Sequence, residues 1–204
     1  MVKNQRQNAT SSDLFGLVLS GGKSTRMGRD KGTIEYHGMP QREYLFEMLQ
    51  SVCDQTFLSI RAEQQGGIGE AWQTIVDMDR YRGPLNGLLS AHEKYPEVAW
   101  LVLACDLPLI TVGAIRQLIS ARRPEKDATA MATKSSGLPE PLVAIWEAGG
   151  LVKAKKYLEG SDSSCPRKFL LNSDTALVYP EDDQLLCNAN SLAEYREVLT
   201  KLAT

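Results

Sequence analysis

Leu14-Phe15-Gly16-Leu17-Val18-Leu19, running straight into Ser20-Gly21-Gly22-Lys23-Ser24-Thr25-Arg26-Met27-Gly28-Arg29-Asp30-Lys31, is the stretch that decides how this chain folds. A short apolar run that ends in consecutive glycines reads as a buried parallel strand, covered on both faces and handing over to a tight turn. The segments that follow alternate between strand and helix periodicity. Residues 42–52 place Leu45, Phe46, Met48, Leu49 and Val52 at helical spacing, and residues 55–60 and 73–76 read as strands. A helix over 85–94 is entered through Gly83-Pro84, and residues 98–105, the most apolar run, form the best central strand. Thr111 is placed to cap a helix to residue 122, which Pro124 stops. Strands are expected over 128–133 and 142–146, and a helix over 151–158 closed by Gly160. The last helix starts at Ser191, with Glu194 completing a capping box. Such alternation predicts an α/β layer fold with a mainly parallel sheet, one domain over 14–204 behind a flexible polar leader, 1–13.

With 204 residues, 43% of them hydrophobic, the chain can bury a core without staples. A net charge of −2 and a pI near 5.8 give no support for a global nucleic-acid binder, so any phosphate-binding charge must be local. Cys53, Cys105, Cys165 and Cys187 lie far apart without a C-x-x-C pair, which suits thiols in a reducing compartment. The polar start of the chain lacks a signal-peptide core, and no apolar run is long enough for a bilayer. These features predict a soluble, cytoplasmic protein with no membrane partner.

In an open α/β sheet, ligands sit outside the carboxyl ends of the strands. The chemically equipped residues cluster there. After the first strand, consecutive glycines allow backbone N–H groups to approach a phosphate, and Lys23, Arg26, Arg29 and Lys31 add four cations within nine positions. The spacing is not that of a Walker A loop, which would need glycine where Leu17 stands, and G-x-G-x-x-G is absent. The alternative is a solvated glycine-rich turn. After the strand at 73–76 come Asp77 and Asp79, then Tyr81-Arg82-Gly83-Pro84-Leu85-Asn86-Gly87. Gly83 and Gly87 would let the chain pass close to a flat base or ribose, and Asp77 could accept from sugar hydroxyls or guanine N–H groups; an ordinary Pro-Gly turn competes with that reading. Asp106, at the mouth of the most apolar strand, is costly to desolvate unless it meets a cation, and hard oxygen ligands suit Mg²⁺. Its bland alternative is a helix cap before Pro108. Asn188 and Asn190, before the last helix, could direct two amides to one side.

Taken together, LVLSGGKSTRMGRDK resembles the signature loop of the molybdenum cofactor guanylyltransferases of the MobA-like nucleotidyltransferase family, L-A-G-G-x-S-x-R-M-G-x-D-K, with Ser20 in place of alanine. GPLNGL, the CDLP around Asp106 and Asn188-x-Asn190 follow in the family's order, so the resemblance spans residues 14 to 202. It implies a doubly wound, Rossmann-like three-layer α/β/α nucleotidyltransferase fold. The implied reaction transfers GMP from GTP to the terminal phosphate of molybdopterin carrying molybdenum, with Mg²⁺ as cofactor. It also implies nucleotide contacts at Leu19, Ser20, Gly21, Gly22, Lys31, Arg61, Asp77, Gly83 and Asp106, with Arg26, Lys31 and Asp106 catalytic and Asp106 the metal ligand. Asn188 and Asn190 would lie near the acceptor, while Arg167 and Lys168 either bind its phosphate or form a solvated basic turn. Protein partners would be other cofactor-biosynthesis proteins or acceptor molybdoenzymes, not nucleic acid. The acceptor supplies the nucleophile, so no catalytic triad is required, and His37 and His92 read as surface or packing residues. Two rivals stay open: another transferase of the superfamily (a cytidylyltransferase for the same cofactor, or a sugar-phosphate enzyme), and a nucleotide-binding protein without turnover. Retention of Lys31, Asp106 and both asparagines speaks against the second.

Overall fold

The computed structural model describes residues 13–21, 30–69, 72–160 and 163–202. In chain order the elements are β1 (Leu14–Leu19), α1 (Gln41–Gln50), β2 (Gln55–Ile60), β3 (Thr74–Val76), α2 (Leu85–Lys94), β4 (Ala99–Ala104), α3 (Val112–Ser120) and β5 (Ala128–Ala132). They continue with β6 (Pro139–Trp146), α4 (Ala148–Gly160), α5 (Pro166–Leu171), β7 (Thr175–Val178) and α6 (Leu192–Leu202). The seven strands form one sheet in the order β3-β2-β1-β4-β6-β5-β7. The pairs β3–β2, β2–β1, β1–β4 and β5–β7 are parallel, while β6 runs antiparallel to both of its neighbours.

Side-chain alternation sorts the core into two layers. From β1 and β4, Leu14, Val18, Ala99, Leu101 and Leu103 pack with Leu45 and Leu49 of α1 and Ile115 and Leu118 of α3. The opposite residues, Phe15, Leu17, Trp100 and Val102, pack with Leu85, Leu88 and Leu89 of α2, Leu151 and Ala154 of α4, and Phe169 of α5. The result is the expected α/β/α sandwich, with β4 buried along its whole length. Thr111 caps α3 as expected, its hydroxyl accepting from the Ala114 N–H at 3.2 Å. No helix among the described residues is long and apolar enough to cross a membrane.

Four segments differ from the sequence-based expectation, the first being α4, which begins at Ala148 rather than Leu151 and includes Gly160. β6 begins at Pro139 rather than Leu142, and it is antiparallel because residues 133–138 are too few for a crossover helix. β7 has no counterpart in the sequence reading; it is a four-residue edge strand with Leu177 exposed, so it lacks a clear burial pattern. The stretch at Cys165–Lys168 is not a turn. Pro166 opens helix α5, where its fixed φ and missing N–H cost nothing at the first position.

Helix α4 approaches the sheet most closely at Gly150. A Cβ there would lie 2.0 Å from the Asp127 carbonyl oxygen, and backbone cannot swing away as a side chain can. Gly150→Ala is expected to destabilise the fold by about 3 kcal/mol, measured by urea unfolding. A wild-type midpoint would show that α4 can lift off the sheet without loss.

Candidate functional site

The carboxyl ends of β1, β2, β3 and β4 open onto one cavity of 870 Å³, bounded elsewhere by the turn before α2, the segment at 30–32, Leu142 of β6 and Asn190. Its position follows from topology, since parallel strands present their carboxyl ends on one side of the sheet. Asp30, Glu63, Asp77, Asp79 and Asp106 all line it, and two of these carboxylates, Asp106 and Asp77, are placed by strand ends.

The first is Asp106, just beyond β4. Its Oδ2 lies 3.6 Å from Lys31 Nζ, too long for a charge-assisted hydrogen bond, and Lys31 also donates in a short contact to Asn190 Oδ1. Asp106 Oδ1 is buried without a hydrogen-bond partner among the described residues, a condition that costs about 1–3 kcal/mol and that a cation relieves. The helix-cap alternative does not hold, because Thr111 caps the following helix. The backbone around Asp106 is held independently of its side chain. The carbonyls of Asp106, Leu107 and Pro108 accept from Ala189 N–H at 2.8 Å, Gln41 Nε2 at 3.4 Å and His37 Nε2 at 2.9 Å. Among the described residues no three His, Cys, Asp or Glu side chains gather as a metal cage. One carboxylate with room for phosphates beside it fits a magnesium-type cation, which completes its shell with water and phosphate oxygens.

The second is Asp77, beyond β3. The Ser59 hydroxyl donates to its Oδ1 at 2.5 Å. Burial pushes the Asp77 carboxyl above the usual carboxylate range, against the opposing Ser59 bond and the Arg61 charge. Glycines make this packing possible: a Cβ on Gly87 would stand 2.3 Å from Ser59 Oγ, and one on Gly21 would stand 2.7 Å from Asp77 Oδ2. The chain beyond Asp77 is tied to α2, with Asn86 Oδ1 accepting from the Arg80 and Tyr81 N–H groups at 3.0 Å each.

The structure thus brings Leu19, Ser20, Gly21, Lys31, Arg61, Asp77, Gly83, Asp106 and Asn190 into the lining of one cavity. Gly22 and Arg26, with Lys23 and Arg29, lie outside the described residues. Asn188 is exposed and absent from the cavity lining, so the two asparagines do not share it. Arg167 and Lys168 are exposed on α5, away from the lining. The Arg167 guanidinium donates to the Pro139 carbonyl at 2.9 Å and to Glu140 Oε2 at 2.8 Å, which fixes the start of β6. Burial raises the Glu140 carboxyl above its ordinary value, and the Arg167 pair works against that. His37 stacks on Tyr44, and His92 is buried on α2, so both serve packing.

Sequence reasoning passes over Ser59 and Gln64. Ser59 stands at the end of β2, where the strand-end rule already points, and a serine in the apolar run TFLSI is the available signal; Gln64 lies beyond the strand, in a 3-10 turn over Ala62–Gly67. Gln64 carries no signal for this role, since Ser20 and Asp30, the partners it joins, are distant in sequence.

Among known proteins, the chain is 36% identical over 194 residues to a "Molybdenum cofactor biosynthesis bifunctional protein" of Synechocystis, covering 95% of this chain and 56% of that protein. The chain therefore spans little more than half of that relative's length. It is 29% identical over 177 residues to a "Molybdenum cofactor guanylyltransferase" of Ectopseudomonas mendocina, with 86% of each chain covered. A crystal structure of molybdopterin-guanine dinucleotide biosynthesis protein A from Archaeoglobus fulgidus superposes with a TM-score of 0.74 at 17% identity, over 93% of this chain and 98% of that one, a likeness of fold. The MobA-like NTP transferase domain model matches residues 16–182, the span that holds the cavity's strand ends and both carboxylates, and the chain belongs to that family.

Proposed function

We propose that this protein is a molybdenum cofactor guanylyltransferase: it transfers GMP from GTP to the terminal phosphate of molybdopterin carrying molybdenum, giving the guanine dinucleotide cofactor and pyrophosphate. The observation that carries the reading is the pairing of Lys31 with Asp106 at the mouth of β4, inside a cavity whose opposite side holds the half-buried Asp77. The relatives named above support the choice of acceptor.

A phosphate oxygen of the acceptor attacks the α-phosphorus of GTP, and the bond to the β-phosphate bridging oxygen breaks to release pyrophosphate. Little covalent chemistry falls to the protein, so its task is to position and to neutralise. Leu19, Ser20 and Gly21 line the nucleotide, and Lys31 with Arg26 offsets charge growing on the leaving pyrophosphate. Asp77 faces the base or ribose, where N–H or O–H donors satisfy a carboxylate that burial penalises; Arg61 and Gly83 border the same region. Asp106 would hold Mg²⁺, which would supply positive charge to offset that of the phosphates. Asn190, bonded to Lys31, stands toward the acceptor. Contacts from Asn188, Arg167 and Lys168 require an acceptor that reaches past the cavity wall. The chain works in the cytoplasm, where its separated cysteines stay reduced.

Titration with GTP, CTP, UTP and ATP in the presence of Mg²⁺, followed by calorimetry, is expected to show tightest binding for GTP. Incorporation of GMP into molybdopterin then completes the test. Preference for CTP or UTP would keep the site and replace the function by that of a cytidylyl or sugar-phosphate transferase. Binding without any transfer would leave only a nucleotide-binding role.

A further inference from the structure

We infer that Gln64 is a positioning residue for triphosphate binding, acting as a clamp that joins the end of β1 to the segment carrying Lys31; this rests on the nucleotidyl-transfer reading of the cavity. Its side-chain amide makes three bonds, one to the N-cap of its own 3-10 turn and two to segments remote in sequence. Oε1 accepts from the Arg61 N–H at 2.8 Å, and Nε2 donates to the Ser20 carbonyl at 3.1 Å and to Asp30 Oδ2 at 2.8 Å. Ser20 is fixed from behind, its N–H donating to the Ser59 carbonyl at 3.0 Å as the β1–β2 ladder runs out.

Asp30 passes the restraint on. Its Oδ1 accepts from the Gly32 N–H at 2.9 Å, and its carbonyl accepts from the Thr33 N–H at 3.0 Å, which shapes the 3-10 turn that begins with Lys31. One amide therefore sets the spacing between the strand end that lines the nucleotide and the backbone that aims Lys31. Gln64 cannot flip to serve a changed partner, because its oxygen is held by Arg61. Gln64 is absent from the cavity lining, so it acts through Ser20, Asp30 and Lys31 rather than on the ligand. The far end of Lys31 is held separately by Asn190 and Asp106. Loss of the clamp should therefore weaken substrate binding more than it slows the chemical step.

The test compares the full chain with Gln64→Met, Gln64→Glu, Asp30→Asn and the Gln64→Glu/Asp30→Asn double variant, measuring KM for Mg·GTP, kcat and the thermal midpoint. Gln64→Met removes the donor without adding charge and is expected to raise KM about tenfold, with kcat changed less than about threefold. Gln64→Glu sets a carboxylate against Asp30 and the Ser20 carbonyl and should raise KM at least as much. In the double variant the new amide at position 30 becomes the donor and the new carboxylate at position 64 the acceptor, while the Ser20 carbonyl stays without its donor, so KM is expected to fall below that of Gln64→Glu without reaching the wild-type value. Wild-type KM in Gln64→Met, or additive losses in the double variant, would overturn the clamp while leaving the function in place. A wild-type chain that prefers another triphosphate overturns the guanylyl reading, and the clamp is then measured on that nucleotide. Failure to bind any triphosphate overturns both.

Discussion

Asp106→Asn is expected to lower GMP transfer about a thousandfold while leaving the fold intact. The substitution keeps size and one carbonyl oxygen but removes the negative charge that holds a cation against the phosphates. A contribution of several kcal/mol from such a cation corresponds to a rate loss of that order. Folding should survive because the loop does not depend on the carboxylate. Ala189, Gln41 and His37 each hold a backbone carbonyl of residues 106–108, and Leu107 is fully buried. The fold loses little with the charge, since Oδ1 has no hydrogen-bond partner among the described residues and Oδ2 stands 3.6 Å from Lys31. Pyrophosphate release and the thermal midpoint read the two expectations separately. Turnover within tenfold of wild type would sink the assignment of Asp106. Collapse of the fold would instead show that the Lys31 contact is structural.

Lys31→Ala is expected to reduce kcat/KM about a hundredfold, with KM raised and kcat lowered together. The ammonium is a compact charge, and phosphates gain from it both in the bound substrate and as pyrophosphate departs. Lys31→Met, which retains the aliphatic stem, should behave in the same way, because the lost quantity is charge rather than packing. Stability should change little in either variant, since the Lys31 and Asp106 side chains are 22% and 21% exposed and water screens their attraction. A Lys31→Ala enzyme with wild-type kinetics would remove Lys31 from phosphate binding and shift that role to the cations of residues 23–29.

The larger outline of the protein is legible without coordinates. The apolar run at Leu14–Leu19 and the more apolar one at Ala99–Ala104 are neighbouring parallel strands, because covering both faces of a strand demands apolar residues at every position. The helix over Leu85–Lys94 is legible from its periodicity and its Gly-Pro entry. The strand-end rule then places Asp77 and Asp106 beside a common space without any knowledge of their distance. What local pattern could not supply was set by partners remote in sequence. β7 is a strand because the edge of β5 pairs with it, not because TALV is strongly patterned. Arg167 reads in the sequence as either a ligand cation or part of a solvated basic turn, and its pairing with Glu140 depends on α5 packing beside β6. Asn188 and Asn190 read as equivalent, and only the docking of Ala189 against the Asp106 carbonyl decides that Asn190 faces the cavity. Gln64 shows the division most clearly: its amide N–H groups have no preferred partner until the fold brings Ser20 and Asp30 to them. Periodicity and strand ends, which are short-range properties of the chain, determined the architecture and the place of the site; long-range hydrogen bonds, which exist only after the sheet has formed, decided which polar groups serve it.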